Sequence, residues 1–268
     1  MNSGQSPGSN RAAALPTLRL VVTGHVDHGK STLIGRLLHD TDALPEGKEE
    51  GIRAACKRRG MPFEYGFLLD ALQAERDQGI TIDTTQIWFR TAARTVVIID
   101  APGHRDFVRN MLTGAAQADA AILVVDAEEG VREQTRRHGA LLALIGVKQV
   151  VVAVNKMDRT GYDAARFAAL SADIRAYLAK LELAPAAIVP IVARDGDNIA
   201  APSANMPWHD GPTVLRAMDS LQVATDPGET PLRLPIQDIY KFDERRILVG
   251  RVESGRLAAG DMLLFSPH

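Results

Sequence analysis

A chain of 268 residues is long enough to bury a full core, as one large domain or two modest ones. With 46% hydrophobic and 24% charged residues and a formal net charge of -2, it has an ordinary globular composition and no global charge drawing it to nucleic acid. The single cysteine, Cys56, excludes an internal disulfide, fits a reducing cytoplasm and reads as a small unreactive side chain.

Residues 1–16 are polar, rich in Gly, Ser and Pro, and too poor in apolar residues for a signal-peptide core, so a disordered tail is expected there. No run of about 18 apolar residues is present, so no membrane span is expected. Beyond the tail, strands are predicted at 18–23 (LRLVVT), 86–90 (QIWFR), 95–100 (TVVIID), 119–126 (DAAILVVD), 149–155 (QVVVAVN) and 187–192 (AIVPIV). Helices fit at about 30–39, 105–117, 132–146, 163–182 and 212–221. Four of the strand runs are nearly all apolar, as strands covered by helices on both faces are. The alternation predicts an α/β fold with a doubly wound, mostly parallel sheet. The pair 86–90 and 95–100, joined by the short TAAR, reads as a hairpin that puts one antiparallel strand at the edge.

Segment 40–80 breaks this rhythm. It carries Pro45, Gly47, Gly51, Gly60 and Pro62 and the basic cluster Lys57, Arg58 and Arg59, and is expected to be a mobile functional insertion. The basic cluster reads as a solvated face. After about 223 the character changes again. DPGETPLRLP is a linker, and PIQDIYKF, RRILVGRVESG and DMLLFSP read as strands of a small all-β unit with too few residues after Pro231 to close a barrel. The domains expected are a tail over 1–16, an α/β domain over 17–223, and a linker with a partial β-barrel over 224–268.

The chemistry sits in three ordered motifs. Gly24-His25-Val26-Asp27-His28-Gly29-Lys30-Ser31 matches G-x-x-x-x-G-K-[ST] between a predicted strand and helix, making the sheet a P-loop NTPase fold. Its glycines let the backbone N–H groups and the helix N-terminus face phosphate oxygens. Lys30 is expected to reach the β- and γ-phosphates and the Ser31 hydroxyl to ligate Mg²⁺. His25 and His28 have a spacing that some metal sites use, but a phosphate loop explains them better. Asp100-Ala101-Pro102-Gly103 follows a predicted strand, where an open α/β sheet places ligands. Its carboxylate can hold Mg²⁺ through water, and the Gly103 N–H can meet the γ-phosphate. His104 is placed to orient the attacking water, and Thr81, in GITID, is the candidate mobile hydroxyl that closes on Mg²⁺ and the γ-phosphate.

Asn155-Lys156-Met157-Asp158 ends the run QVVVAV. A carboxylate there can accept from guanine N1–H and its exocyclic amine, a donor pair that adenine lacks. Val192-Ala193 falls where a backbone N–H could meet guanine O6. The three motifs in order predict a GTPase that takes GTP or GDP with Mg²⁺.

These residues resemble the translation-factor class of GTPases, over about 18–267. GHVDHGKST, DAPGHRDFVRNM, GVKQ…NKMD, PSANMPW and PLRLPIQDIYK are similar to elongation factor 1-alpha. LLDALQAERDQGITID, EQTRRHGALLALIG and GDNIAAPSANMPWHDGPTVL are similar to the GTPase (large) subunit of bacterial sulfate adenylyltransferase, the CysN/NodQ group. The resemblance implies that Gly24 through Thr32, Thr81, Asp100, Gly103, His104, Asn155, Lys156 and Asp158 take the family's nucleotide roles. It implies a second domain of the translation-factor domain 2 kind. His25 and His28 stand where sulfate-activating subunits carry Ser and Asp, and Val192 stands where the last guanine motif usually has Ser. Against translation, a bacterial elongation factor normally has Cys where Ala101 stands, and this length omits the third domain that holds transfer RNA. The favoured expectation is therefore sulfate activation, in which a smaller adenylyltransferase subunit is the partner and GTP hydrolysis drives adenylylsulfate formation from ATP and sulfate. The alternative is an elongation-factor-like GTPase delivering an RNA or protein partner in translation; nucleic acid enters only there.

Overall fold

The structure, a computed structural model, describes residues 15–69, 71, 86–100, 118–223, 231–241, 245–250 and 252–266. The chain divides into two compact units, Met1–Val223 and Ala224–His268.

The first unit is an α/β fold around a six-stranded sheet. Its strands are β1 (Thr17–Gly24), β2 (Gln86–Arg90), β3 (Thr95–Asp100), β4 (Ala120–Asp126), β5 (Val150–Asn155) and β6 (Pro185–Pro190), in the order β2-β3-β1-β4-β5-β6. Every pairing is parallel except β2 with β3, which are antiparallel, so β2 is the antiparallel edge strand that the short TAAR connection called for. The hairpin turn closes with the Thr91 N–H donating to the Arg94 carbonyl at 2.9 Å.

The apolar runs fill both faces because side chains alternate along a strand. On β1, Leu18, Leu20 and Val22 enter one core cluster and Val21 the other; on β4, Ala120, Ile122 and Val124 oppose Ala121, Leu123 and Val125. One layer is closed by Leu33, Ile34, Leu37 and Leu38 of helix α1 (Lys30–Asp40), with Val214, Ala217 and Met218 of the short helix Val214–Ser220. The other is closed by Leu142 of a helix over Glu133–Leu144 and by Leu170, Ile174 and Leu178 of one over Ala164–Ala179. With α2 (Lys48–Arg58) between them in sequence, these are α3 (Glu133–Leu144), α4 (Ala164–Ala179) and α5 (Val214–Ser220). The helix expected over 105–117 lies outside the described residues.

Three expectations need correction. Within segment 40–80, residues 48–58 form helix α2. Glu49 and Glu50 occupy the first turn and Lys57 and Arg58 the last, matching the helix dipole; Glu49 pairs with Arg53 one turn on and with His39 of α1, and Arg53 lies over the Phe63 ring. Cys56 is its one buried residue. Strand β6 begins and ends two residues before the expected 187–192, and Ile191 and Val192 follow it as buried, non-strand backbone.

The second unit pairs β7 (Ile236–Lys241) with β8 (Arg246–Gly250) as an antiparallel two-stranded sheet, both strands largely exposed. Within the expected strand DMLLFSP, residues 261–266 have no strand pairing among the described residues. Met262 and Leu264 are 99% and 97% exposed, so no apolar face holds that segment extended. No helix among the described residues is long and apolar enough to cross a membrane.

Candidate nucleotide site

The carboxyl ends of β1, β3, β4, β5 and β6 share one edge of the sheet, and the motif residues gather there. β1 ends at Gly24, and α1 starts at Lys30. The loop between them can only be built from these residue types at two points. Gly24 has φ +147, and a Cβ there would sit 2.4 Å from the Val124 carbonyl oxygen. Gly29 has φ +90, and its Cβ would sit 2.3 Å from Asn155 Nδ2. Asp27 also adopts a left-handed φ of 65°.

Helix α4 starts with Asp163 accepting from the Ala165 N–H, and α5 with Thr213 accepting from the Arg216 N–H. Helix α1 has neither a side-chain cap nor an acidic residue in its first turn, which leaves its N-terminal N–H groups for an external anion. The Lys30 ammonium folds over the loop and donates to the carbonyls of Gly24 at 2.7 Å and His25 at 2.8 Å. Ser31, in the first turn, is exposed, and Thr32 half-buried beside it. Val26 and Asp27 are exposed at the loop's tip.

His28 is no surface residue. It is 1% exposed; its Nδ1 lies 3.2 Å from the Val124 carbonyl and its Nε2 3.3 Å from Glu129 Oε2. Its ring meets that of His25 edge-on, with centroids 5.3 Å apart. Among the described residues no group of three or more His, Cys, Asp or Glu is placed to hold a metal.

Asn155 joins the motifs. Buried at the end of β5, its Nδ2 donates to the His28 carbonyl at 2.8 Å and its Oδ1 accepts from the Ala193 N–H at 2.9 Å. The Ala193 N–H, expected to meet guanine O6, therefore has Asn155 as its partner, and the Val192 N–H faces the Asp197 carbonyl at 3.4 Å. Lys156 takes a left-handed φ of 65°, and its ammonium lies 2.7 Å from Asp126 Oδ2 at the end of β4. At that distance the ammonium and the carboxylate form a charge-assisted pair. Burial pushes the Asp126 carboxyl up. The Lys156 contact and the N–H groups of Glu128 and Glu129 outweigh that and leave it below the usual carboxylate range. Asp158 follows in a 3-10 turn, Met157–Thr160, its side chain 25% exposed, with the Arg194 guanidinium 3.5 Å away. Arg194 also grips Asp195 at 2.9 and 3.0 Å, and this pairing holds its proton more tightly than usual.

Asp100 closes β3 opposite Val22 of β1. Thr81, Gly103 and His104 lie outside the described residues. A groove of about 520 Å³ between α3 and α4, lined by Glu129, Arg132, Arg166 and Tyr177 among others, contains none of the motif residues.

Three participants escaped the motif reading. Asp126 ends a predicted strand as Asp100 does, and that position was its signal. Arg194 had none. The third is His138 of α3, 7% exposed, whose Nδ1 shares a 2.9 Å hydrogen bond with Oγ1 of buried Thr23, the residue before Gly24. Burial pushes its pKa down to about 4, helped by the charges of Lys30, His25 and His28, so the ring is neutral at neutral pH. A histidine in the unfolded chain takes up its proton near 6.5. Between that value and about 4 the unfolded state binds more protons, so stability is lost as pH falls through this window. We expect the urea midpoint to drop between pH 7 and pH 5, and the drop to shrink in His138→Asn, which does not titrate there.

Residues 15–224 match the family described as Elongation factor Tu GTP binding domain. The chain belongs to that family. The chain is 44% identical over 253 residues to elongation factor 1-alpha of Pyrococcus furiosus and 45% identical over 253 residues to that of Thermococcus kodakarensis. Each alignment takes in 94% of this chain and 59% of the relative, so the chain spans about three-fifths of these relatives' length. Solved structures of Sup35 complexed with GDP and with GMPPNP are similar at TM-scores of 0.58 and 0.56, with 25% and 27% identity. They cover 94% and 90% of this chain, which in turn covers 56% and 53% of theirs. A GTP-binding family and similar structures solved with GDP and GMPPNP support GTP and GDP as the ligands of this chain.

Proposed function

We propose that this chain is a Mg²⁺-dependent GTPase switch of the elongation-factor kind, whose GTP-bound form carries an RNA or protein partner in translation. One observation supports the nucleotide reading above the others. The loop Gly24–Ser31, Asp100 and Asn155–Asp158 all sit at the carboxyl ends of strands in one sheet, with Asn155 hydrogen-bonded to the first loop.

The residues present fit the metal as well as the nucleotide. Mg²⁺ takes few protein ligands and keeps water and phosphate oxygens around it. The exposed Ser31 hydroxyl, Asp100 at the end of β3 and Thr81 would hold it, and it would neutralise charge gathering on the phosphates. The loop N–H groups and Lys30 bind and orient the phosphates, and Gly103 contributes a further N–H. His104 positions the attacking water in line with the γ-phosphate, as this class of phosphoryl transfer requires. Asp158 reads the base.

The 44–45% identity to elongation factor 1-alpha favours the carrier reading over the sulfate-activation reading that the segments around LLDALQAERDQGITID suggested. One assay separates them. GTP turnover of the chain is measured alone, with ribosomes and transfer RNA, and with ATP, sulfate and the smaller adenylyltransferase subunit. We expect stimulation with ribosomes and transfer RNA. Stimulation only in the sulfate arm would replace this reading with the other.

A further inference from the structure

We propose that His138 is a positioning residue for the phosphate loop, acting through Thr23; this rests on the nucleotide reading of that loop. Thr23 is the penultimate residue of β1, 0% exposed, in a strand position where valine would fill the same space. A hydroxyl buried there is costly unless it is paired. The one side chain 2.9 Å away is an imidazole from the middle of α3, 115 residues along the chain. The next residue, Gly24, is paired with Val124 of β4, whose carbonyl leaves no room for a Cβ there. Gly24 is thus held by the β4 backbone on one side, and through Thr23 by α3 on the other.

What hangs from this point is functional. The Gly24 carbonyl accepts from the Lys30 ammonium at 2.7 Å, so a shift at Thr23 passes to the cation that faces phosphate. The far end of the loop is fixed separately, by Asn155 on the His28 carbonyl and by Glu129 on His28 Nε2. Loss of the Thr23–His138 bond should therefore loosen the entry of the loop and leave its exit in place. Nucleotide would still bind, but with a weaker hold on its phosphates. A purely structural hydrogen bond would change stability and leave nucleotide release alone.

The test is displacement of a fluorescent GDP analogue by excess GDP, with thermal melting alongside. Thr23→Val, which keeps the strand's β-branched shape, and His138→Ala should each speed release by about three- to tenfold, the range set by one buried hydrogen bond. His138→Asn, whose amide can reach the place of Nδ1, should return release to within about twofold of the native rate. The double variant Thr23→Val/His138→Ala should be no faster than either single one, because both remove the same bond. Native release in Thr23→Val, or rates that multiply in the double variant, would overturn the proposal. A native chain that holds no displaceable GDP analogue would instead sink the nucleotide reading, and this inference with it. Should His138→Ala fail to fold, Thr23→Val and His138→Asn still decide the question.

Discussion

Replacing Asp158 with Asn should weaken GTP and GDP binding on the order of a thousandfold and let xanthine nucleotides bind in their place. The carboxylate offers two acceptors to the N1–H and exocyclic amine of guanine. An amide offers one acceptor and one donor, which suits xanthine, where a carbonyl replaces the amine. A mismatched pair leaves a polar group unpaired in a dry contact, which makes the discrimination large. The fold should not suffer. Asp158 is partly exposed, its contact with Arg194 is 3.5 Å, and Asp195 retains Arg194 by two closer bonds. An exposed pair of that kind is worth about 1 kcal/mol or less. Competition between GTP and XTP for a fluorescent nucleotide, with a melting curve for each variant, checks both halves. An unchanged GTP affinity would remove Asp158 from the base site.

Asn155→Ala should be damaging in the opposite way, through the frame and not the contact. Its side chain bridges the His28 carbonyl in the phosphate loop and the Ala193 N–H beyond β6, inside the protein. Alanine leaves a buried acceptor and a buried donor without that partner, at about 2–5 kcal/mol together. In a domain of this size that lowers the melting temperature by about 5–15 °C. It also separates the phosphate loop from the base-reading loop, so nucleotide affinity should fall at least a hundredfold, on the order of two lost buried hydrogen bonds. Asn155→Asp sharpens the test. It can still accept from Ala193 but sets a carboxylate against the His28 carbonyl, so it should fail in binding as Asn155→Ala does. Normal GDP binding by Asn155→Asp would show that the bridge to His28 does not matter.

The contrast between these two positions also explains what was legible in the sequence. The motif residues could be found because each closes or follows an apolar run: Gly24 after LRLVVT, Asp100 at the end of TVVIID, Asn155 after QVVVAV. An all-apolar run of strand length marks a doubly covered strand, and a polar residue at its end marks the ligand edge. Helix α2 gave no such signal, since Cys56 is the only residue it buries and its other contacts run through charged side chains, Glu49 with Arg53 and His39 and Arg53 over the Phe63 ring. The bounds of β6 were blurred because the apolar run passes through Pro190 into Ile191 and Val192, which are buried without being strand. Within the site, the residue types of the loops were readable but their partners were not. Ala193 has its N–H on Asn155, Lys156 has its ammonium on Asp126, and Thr23 meets His138 across 115 residues. Only the folded sheet brings those together.

The central claim is that guanine recognition resides at this sheet edge, and direct titration tests it most simply. The chain is titrated with GDP and, separately, with ADP, each with Mg²⁺, by calorimetry. The site described here predicts saturable one-to-one binding of GDP and at least a hundredfold weaker binding of ADP, because adenine cannot supply the donor pair that Asp158 requires. Equal affinity for the two, or a preference for ADP, would contradict it.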